Sequence, residues 1–512
     1  MGRERRPLKQ NKFLRTFSSV TGVILLSKLL GFVKQMVMAG AFGATMETDL
    51  INLAQGFVSN LKYLLVQTLL TSFISVYLYA GSRSREEGER FAADTLKLFT
   101  LIAGALTAVM LAAAPWIARI LAPSYDSEQS ARLAAYLRLY APVLLCFVWM
   151  AVFQALLEGN KRFLPGQLES VNQSVLIMLC IAVLRPMLGV GALVAGFFAC
   201  MVWNTVFLGV LSRPYWRLTR GNPLANPLVR ELLGMIGPLL LGYSMIYVNE
   251  QVDKILVSGL EAGSVTALQY SAVLSNLVGT FIVSFSSILF TYITTRIAQC
   301  DQQGAANLVL RAAGLMLLLF LPVSILTVLC AEDIVTVAFG RGAFGTDSVR
   351  VAASALRGYG VAFAPMVLRE LFSRFQYGYK DSRTPMINST AGILLNIALS
   401  IALCPHFGVL GVTFASSVSV IVCGTANAAT ARRHNAHLRF GPLLRQLPLL
   451  AAGGLVCWLI ARWTLVWMGA WPPLFRFAGT VLLAGGGYFL VVSPLLIRLL
   501  RKKDGPLLGR RK

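Results

Sequence analysis

Residues 17–43 read FSSVTGVILLSKLLGFVKQMVMAGAFG, an apolar run that carries two lysines, Lys28 and Lys34. About 20 mostly apolar residues span a bilayer as a helix, so this stretch is a membrane helix with charge at depth. Thirteen further stretches of the same kind follow, near 48–80, 93–122, 131–158, 164–185, 189–212, 228–260, 264–297, 306–330, 349–378, 384–404, 408–431, 443–467 and 473–500. Alternating strand patterning is absent, which excludes an outer-membrane barrel. The expected fold is an all-α polytopic membrane protein of about 14 transmembrane helices.

Composition agrees. Of 512 residues 56% are hydrophobic and 13% charged, against roughly 25% charged in a soluble domain. Mean hydropathy is +0.68. Lys+Arg number 46 and Asp+Glu 22, so the net charge is 46 − 22 = +24. That excess would suit nucleic acid, but its placement says otherwise. Cations crowd the 1–16 tail, the loops around Arg83, Lys161, Arg213, Lys380 and Arg432, and the 501–512 tail, whereas the turns at 44–47, 261–263 and 468–472 have none. By the positive-inside rule both termini are cytoplasmic, in agreement with an even number of spans. Nucleic acid is therefore not an expected partner, and the basic surface meets membrane lipids instead. The basic start leads into a long helix with no cleavage site, so no signal peptide is expected. The eight cysteines form no CxxC pair and read as small hydrophobes. No Walker A sequence is present, and neither a cofactor nor a metal is expected.

The chain resembles itself. Arg162-Phe-Leu-Pro165 and Asp381-Ser-Arg-Thr-Pro385 each place a proline at the opening of a helix, where its missing N–H costs nothing. Pro186-Met-Leu-Gly189 matches Pro405-His-Phe-Gly408, and Lys34-Gln35 matches Asp253-Lys254 at an offset of 219 residues. Six helices per copy is even, so the copies are parallel: two six-helix lobes, 17–212 and 228–431, around a central cavity. A cytoplasmic linker at 213–227 joins them, and a helix pair at 443–500 lies outside the repeat.

Polar residues at membrane depth mark function or pairing. On the first helix Ser27 and Lys34 share a face, as do Lys28 and Gln35. The second helix carries Asn52, Gln55, Ser59 and Lys62 at spacings of three, four and three, a polar stripe that points to a watery lumen or to helix–helix bonding. No carboxylate lies within one turn of Lys62. Asp49 sits at the start of that helix, either as its N-cap or as a partner for a cavity lysine. Further on, Asn249, Glu250, Gln251, Asp253 and Lys254 interrupt the seventh helix, with Glu250–Lys254 spaced for an ion pair. Gln269, Asn276, Thr280, Ser284 and Ser287 stripe the eighth, and Glu370–Arg374 forms a second expected pair. Three deep lysines in the first lobe call for an anion, and a phospho-headgroup lipid fits best, with its tail left in the bilayer.

Ser27-Lys-Leu-Leu-Gly-Phe-Val-Lys34 resembles the S-R-x-L-G-F-x-R opening of the MurJ/MviN lipid II flippases, within the multidrug/oligosaccharidyl-lipid/polysaccharide exporter superfamily. Ala41-Phe-Gly-Ala44 with Thr48-Asp49 is similar to that family's F-G-A…T-D turn, and Asp381-Ser-Arg-Thr-Pro385 to its D-x-K-T-P loop. The resemblance implies a transporter rather than an enzyme. It implies movement of undecaprenyl-pyrophosphate-linked disaccharide-peptide across the bacterial cytoplasmic membrane by alternating access, with the cell-wall synthesis machinery as a candidate partner of a monomeric protein. It puts the family's essential arginines on Lys28, Lys34 and Lys62, its outer aspartate on Asp49, and a cation or coupling site on Asp253 with Asn388 or Asn396. It implies that the last helix pair forms a groove for the isoprenoid tail. Lysine for arginine is not a neutral exchange at a phosphate site, and Gln35, Gln67 and Val273 also depart from the family pattern. A flippase for another polyprenyl-pyrophosphate glycan, such as a capsule or O-unit, is the alternative. A multidrug/cation antiporter would need a membrane acid where this chain has lysines. A membrane glycosyltransferase would need a metal or nucleotide motif that the acids of the 332–347 loop do not form.

Overall fold

The computed structural model describes residues 10–217 and 221–501. Most of the two expected basic tails, residues 1–9 and 502–512, and residues 218–220 of the expected linker lie outside those residues. The described chain is helices joined by short connections, with no strand among the described residues. In order, the helices are α1 (Gln10–Phe42), α2 (Met46–Arg83), α3 (Arg85–Leu121), α4 (Ser127–Tyr140), α5 (Val143–Gly159), α6 (Leu164–Leu188), α7 (Gly191–Ser212) and α8 (Pro227–Ser258). They continue as α9 (Ser264–Ala298), α10 (Gln302–Leu329), α11 (Ala331–Phe339), α12 (Thr346–Gly360), α13 (Phe363–Gly378), α14 (Arg383–Phe407), α15 (Val409–Ala431), α16 (Gly441–Leu444), α17 (Leu447–Trp467) and α18 (Pro473–Arg501).

By length and composition, 12 spans among the described residues can cross a membrane, or 13 when the bent pair α12–α13 counts as one. Fourteen were expected. The remaining stretch, 228–260, is α8, a continuous helix of 32 residues outside that count.

The chain divides into two compact units, residues 1–265 with 342–344 and residues 266–341 with 345–512. In the first, α6 packs on α1 and α7, and α2 on α3, α5 and α8, over a core that includes Phe73, Phe91, Phe147 and Phe197. In the second, α15 packs on α12, α13 and α14, with Val367, Leu371, Phe372 and Phe375 buried against α10. There α17 and α18 close on α10 around Cys457, Ala461 and Tyr488, and the Tyr488 hydroxyl donates to the Leu318 carbonyl at 2.9 Å.

The internal repeat is visible inside each unit. The fourth span breaks at Tyr140/Val143 in one copy and at Gly360/Phe363 in the other, an offset of 220. A proline explains each break, since its ring clashes with the carbonyl four residues earlier. Pro142 opposes Arg138 and Pro365 opposes Val361. A hydroxyl from a neighbouring helix satisfies backbone freed at each break. Thr107 donates to the Ala141 carbonyl at 3.3 Å, and Ser324 accepts from the Ala364 N–H at 3.0 Å. The following loops also match. Lys161 and Lys380 both take a left-handed conformation, φ 61° and 63°. Arg162 N–H reaches Leu157 O, and Asp381 N–H reaches Gln376 O, each closing a Schellman motif. Gly189 and Gly408, at φ 55° and 57°, then cap α6 and α14.

Candidate functional site

Thr45, not Asp49, is the N-cap of α2. Its hydroxyl accepts from the Thr48 N–H at 3.3 Å, and the Thr48 hydroxyl accepts from the Thr45 N–H at 2.8 Å, a reciprocal capping box. Thr45, four residues ahead of Asp49, thus takes the capping role that Asp49 was expected to have. Asp49 is 1% exposed, and its Oδ2 accepts from the backbone N–H of Gly263 at 2.7 Å. The contact is backbone on backbone around it. Gly263, at φ 91°, comes so close to Ala44 that a Cβ would stand 2.4 Å from the Ala44 carbonyl oxygen. Residues 342–344 join the same junction, where Ala343 N–H donates to Gly40 O at 2.9 Å.

Along α2 the residues of the polar stripe differ in burial. Asn52 and Lys62 are buried, Gln55 and Ser59 half-buried. Lys62 Nζ forms an ion pair with Glu169 Oε1 on α6, and both side chains are nearly enclosed, 11% and 14% exposed. The ring of Phe147 lies 5.8 Å and that of Tyr63 6.0 Å from the same ammonium, adding cation–π attraction. Lys34 on α1 is half-buried and within electrostatic reach of Lys62. Two lysines and one glutamate thus share this part of the first unit. Lys28 is exposed on α1, and the Ser27 hydroxyl is turned back onto the Ile24 carbonyl at 2.8 Å. Gln35 keeps a buried Oε1 with no hydrogen-bond partner among the described residues.

The polar run of the seventh span lies on α8 and packs against α2. Asn60 Nδ2 donates to Gln251 Oε1 at 3.2 Å, and Tyr63 and Tyr247 stack with centroids 6.2 Å apart. Lys254 Nζ pairs with Glu250 at 2.7 Å and lies over Gly56, where a Cβ would stand 2.8 Å away. The expected Glu250–Lys254 pair is thus present. It belongs to the same compact unit as the lysine cluster, whereas the repeat had assigned it to the second lobe.

Of the expected coupling residues, Asp253 is buried on α8 in the first unit, and Asn388 and Asn396 lie on α14 in the second. Asn388 Nδ2 donates to Asn427 Oδ1 at 2.8 Å, and Asn396 Oδ1 accepts from Ser400 at 3.4 Å. The Asn388–Asn427 bond has a counterpart in Asn172–Asn204, at 2.9 Å, with the same donor polarity. In both copies the receiving asparagine also touches a cysteine one turn back, Cys200 or Cys423. On α9 the hydroxyls of Thr280, Ser284 and Ser287 donate to carbonyls of their own helix. Glu370 contacts Arg369 at 3.0 Å and Arg374 at 3.9 Å, so the expected pair is a triad. In the loop before α14, two hydrogen bonds from Thr384 hold the Asp381 carboxyl down at about 2, helped by His434 Nε2 at 2.8 Å.

Sequence reasoning missed Glu169. The signal was there: it is the one acid in the 164–185 span, and an acid in an apolar span is paired or functional by default. The partner of Asp49 left no such trace, because a backbone N–H has no residue type.

Spanning helices, a six-helix repeat and buried charge define a multi-pass membrane protein of the transporter class. A family profile described as "Lipid II flippase MurJ" matches residues 38–475, and the chain belongs to that family. A probable lipid II flippase MurJ of Borreliella burgdorferi is 24% identical over 425 residues, covering 81% of this chain and 82% of that one. Its counterpart in Rhizobium tropici is also 24% identical, over 96% of this chain and 98% of its own. Among solved structures, a lipid II flippase MurJ in an inward closed conformation superposes with a TM-score of 0.81 at 19% identity, over 94% of this chain and 99% of that one. An inward-facing multidrug resistance MATE family transporter of the MOP superfamily gives 0.64 at 16% identity, over 82% and 98%. These two likenesses concern the fold.

Proposed function

We propose that this protein flips lipid II from the inner to the outer leaflet of the bacterial cytoplasmic membrane by alternating access. In this reading the two six-helix lobes, 17–212 and 228–431, flank a central cavity, α8 supplies the fourteenth span and both termini are cytoplasmic. One observation carries the reading: the buried Lys62–Glu169 pair beside Lys34. A carboxylate already occupies the position that an anionic headgroup would take. The substrate pyrophosphate displaces Glu169 from Lys62 and gains Lys34 as a second contact. Charge-assisted contacts of this kind are strong where water is excluded. Lys28, Ser27, Asn52, Gln55 and Ser59 line the approach, and Asp49 holds one end of the first unit closed. Asp253, Asn388 and Asn396 are the candidates for an ion that couples transport to a gradient.

The test is outer-leaflet accessibility of lipid II in cells depleted of the protein. Wild type is expected to restore accessibility, and Lys34→Ala and Lys62→Ala to fail. Full rescue by the Lys34→Ala/Lys62→Ala double variant would overturn the assignment of the site. If wild type restores export of another polyprenyl-pyrophosphate glycan but not of lipid II, the substrate is that glycan.

A further inference from the structure

We propose a second anion site, within the second compact unit, that binds the phosphate headgroup of an anionic glycerophospholipid. It is a cavity of about 520 Å³ between the end of α9, the first turns of α10 and α17, the short α16 and residues 494–499 of α18. That volume is in the range of small-molecule pockets, roughly 300–1,000 Å³. Four arginines line it, Arg296, Arg311, Arg445 and Arg498, and no carboxylate does among the described residues. Asp301 pairs with Arg296 at 2.6 Å, and the other three arginines keep the lining positive. Arg445 and Arg498 have no ion-pair partner among the described residues and are both exposed toward the opening.

Two features go beyond a loop that is merely basic. Arg311 is built in: its Nε donates at 2.6 Å to the carbonyl of Leu499. The guanidinium is thereby fixed in orientation, as bidentate phosphate recognition requires. Beside Thr295, Gln299, Asn307 and Gln446 the wall also carries apolar side chains, Leu308, Leu449 and Leu495 among them. A free phosphate ion makes no use of these leucines, while the ester and first methylenes of a lipid chain do. The neighbouring connections hold Arg432, Arg433 and Arg439, on the side that the charge distribution assigns to the cytoplasm. The leaflet there is the one whose negative surface attracts arginine. None of these residues belongs to the lysine cluster of the first unit, so the site stands whether or not that cluster carries substrate.

The experiment uses the full-length protein, purified and reconstituted with phosphatidylglycerol or phosphatidylcholine, and native mass spectrometry to count retained lipid. Wild type is expected to retain phosphatidylglycerol over phosphatidylcholine. Arg445→Gln/Arg498→Gln is expected to lower that retention on the order of ten-fold. Arg432→Gln/Arg433→Gln, two cations outside the cavity lining, should leave it unchanged. Both substituted pairs are exposed, and unchanged thermal unfolding of each variant shows that the fold is kept; should the glutamine pair unfold, Arg445→Lys/Arg498→Lys is read in its place and is expected to bind more weakly than wild type. Equal retention by wild type and the cavity variant overturns the proposal, as does equal loss in both pairs. Displacement of phosphatidylglycerol by millimolar inorganic phosphate alone also overturns it, by assigning the arginines to a soluble ion.

Discussion

Lys62 and Glu169 are 107 residues apart in sequence and in contact across two helices. A nearly enclosed ion pair contributes little net stability over an apolar pair, but losing one partner leaves the other charged and unsolvated, at a cost of about 3–5 kcal/mol. Lys62→Met and Glu169→Leu should therefore each lower the unfolding stability by about that amount, and the double variant should recover most of the loss. If the pyrophosphate takes Lys62 from Glu169, the double variant is well folded and inactive in lipid II export. Thermal unfolding of the four proteins, read beside complementation of a depleted strain, separates these roles. A double variant as unstable as the two singles combined would show that the charges do not depend on each other. Periodicity along one helix found Lys62, because the stripe at 52, 55, 59 and 62 lies within α2. It did not find Glu169, since nothing in a one-dimensional pattern encodes which faces of α2 and α6 meet.

The helices themselves were legible, because apolar runs of this length have few alternatives, and so was the repeat, because prolines and glycines mark it. The loops between them are harder to read. At Lys161 and Lys380 the chain needs the left-handed conformation of a Schellman motif, where glycine is the usual residue. Lysine there costs about 1–2 kcal/mol of backbone strain, and both copies accept it. The positive-inside rule supplies a reason, since each lysine puts charge on a short loop where charge sets orientation. Stability and topology are thus opposed at one residue. Lys380→Gly should raise unfolding stability by about 1 kcal/mol, and Lys161→Gly/Lys380→Gly by about twice that, with fewer molecules inserted in the correct orientation. Unfolding of the purified variants and protease protection in membrane vesicles read the two effects. A glycine variant no more stable than wild type would show that the lysine side chains offset their strain by contacts of their own.

At the scale of the whole molecule, the 219–220-residue repeat explains why the same breaks and caps recur, but it does not explain the junction at Asp49. There the chain departs from its own symmetry. Residues 342–344, between α11 and α12 in sequence, are part of the first unit, and Ala343 N–H meets Gly40 O at 2.9 Å. Gly342, at φ 58°, would place a Cβ 2.2 Å from that same oxygen, as Gly263 would at Ala44. The backbones approach closely here, and the Asp49 carboxylate accepts a backbone N–H at the same junction. The alternating access proposed above would separate this junction once per cycle, whereas a purely structural joint never opens. A cross-link distinguishes the two. In a background without the eight native cysteines, Gly40→Cys/Ala343→Cys places two thiols on backbones already joined by a hydrogen bond, close enough for a disulfide. Oxidation is expected to abolish lipid II export and reduction to restore it, while either single variant remains active under both conditions. Export that persists with the cross-link fully formed would make the junction a fixed joint, and the transport cycle would then have to open elsewhere.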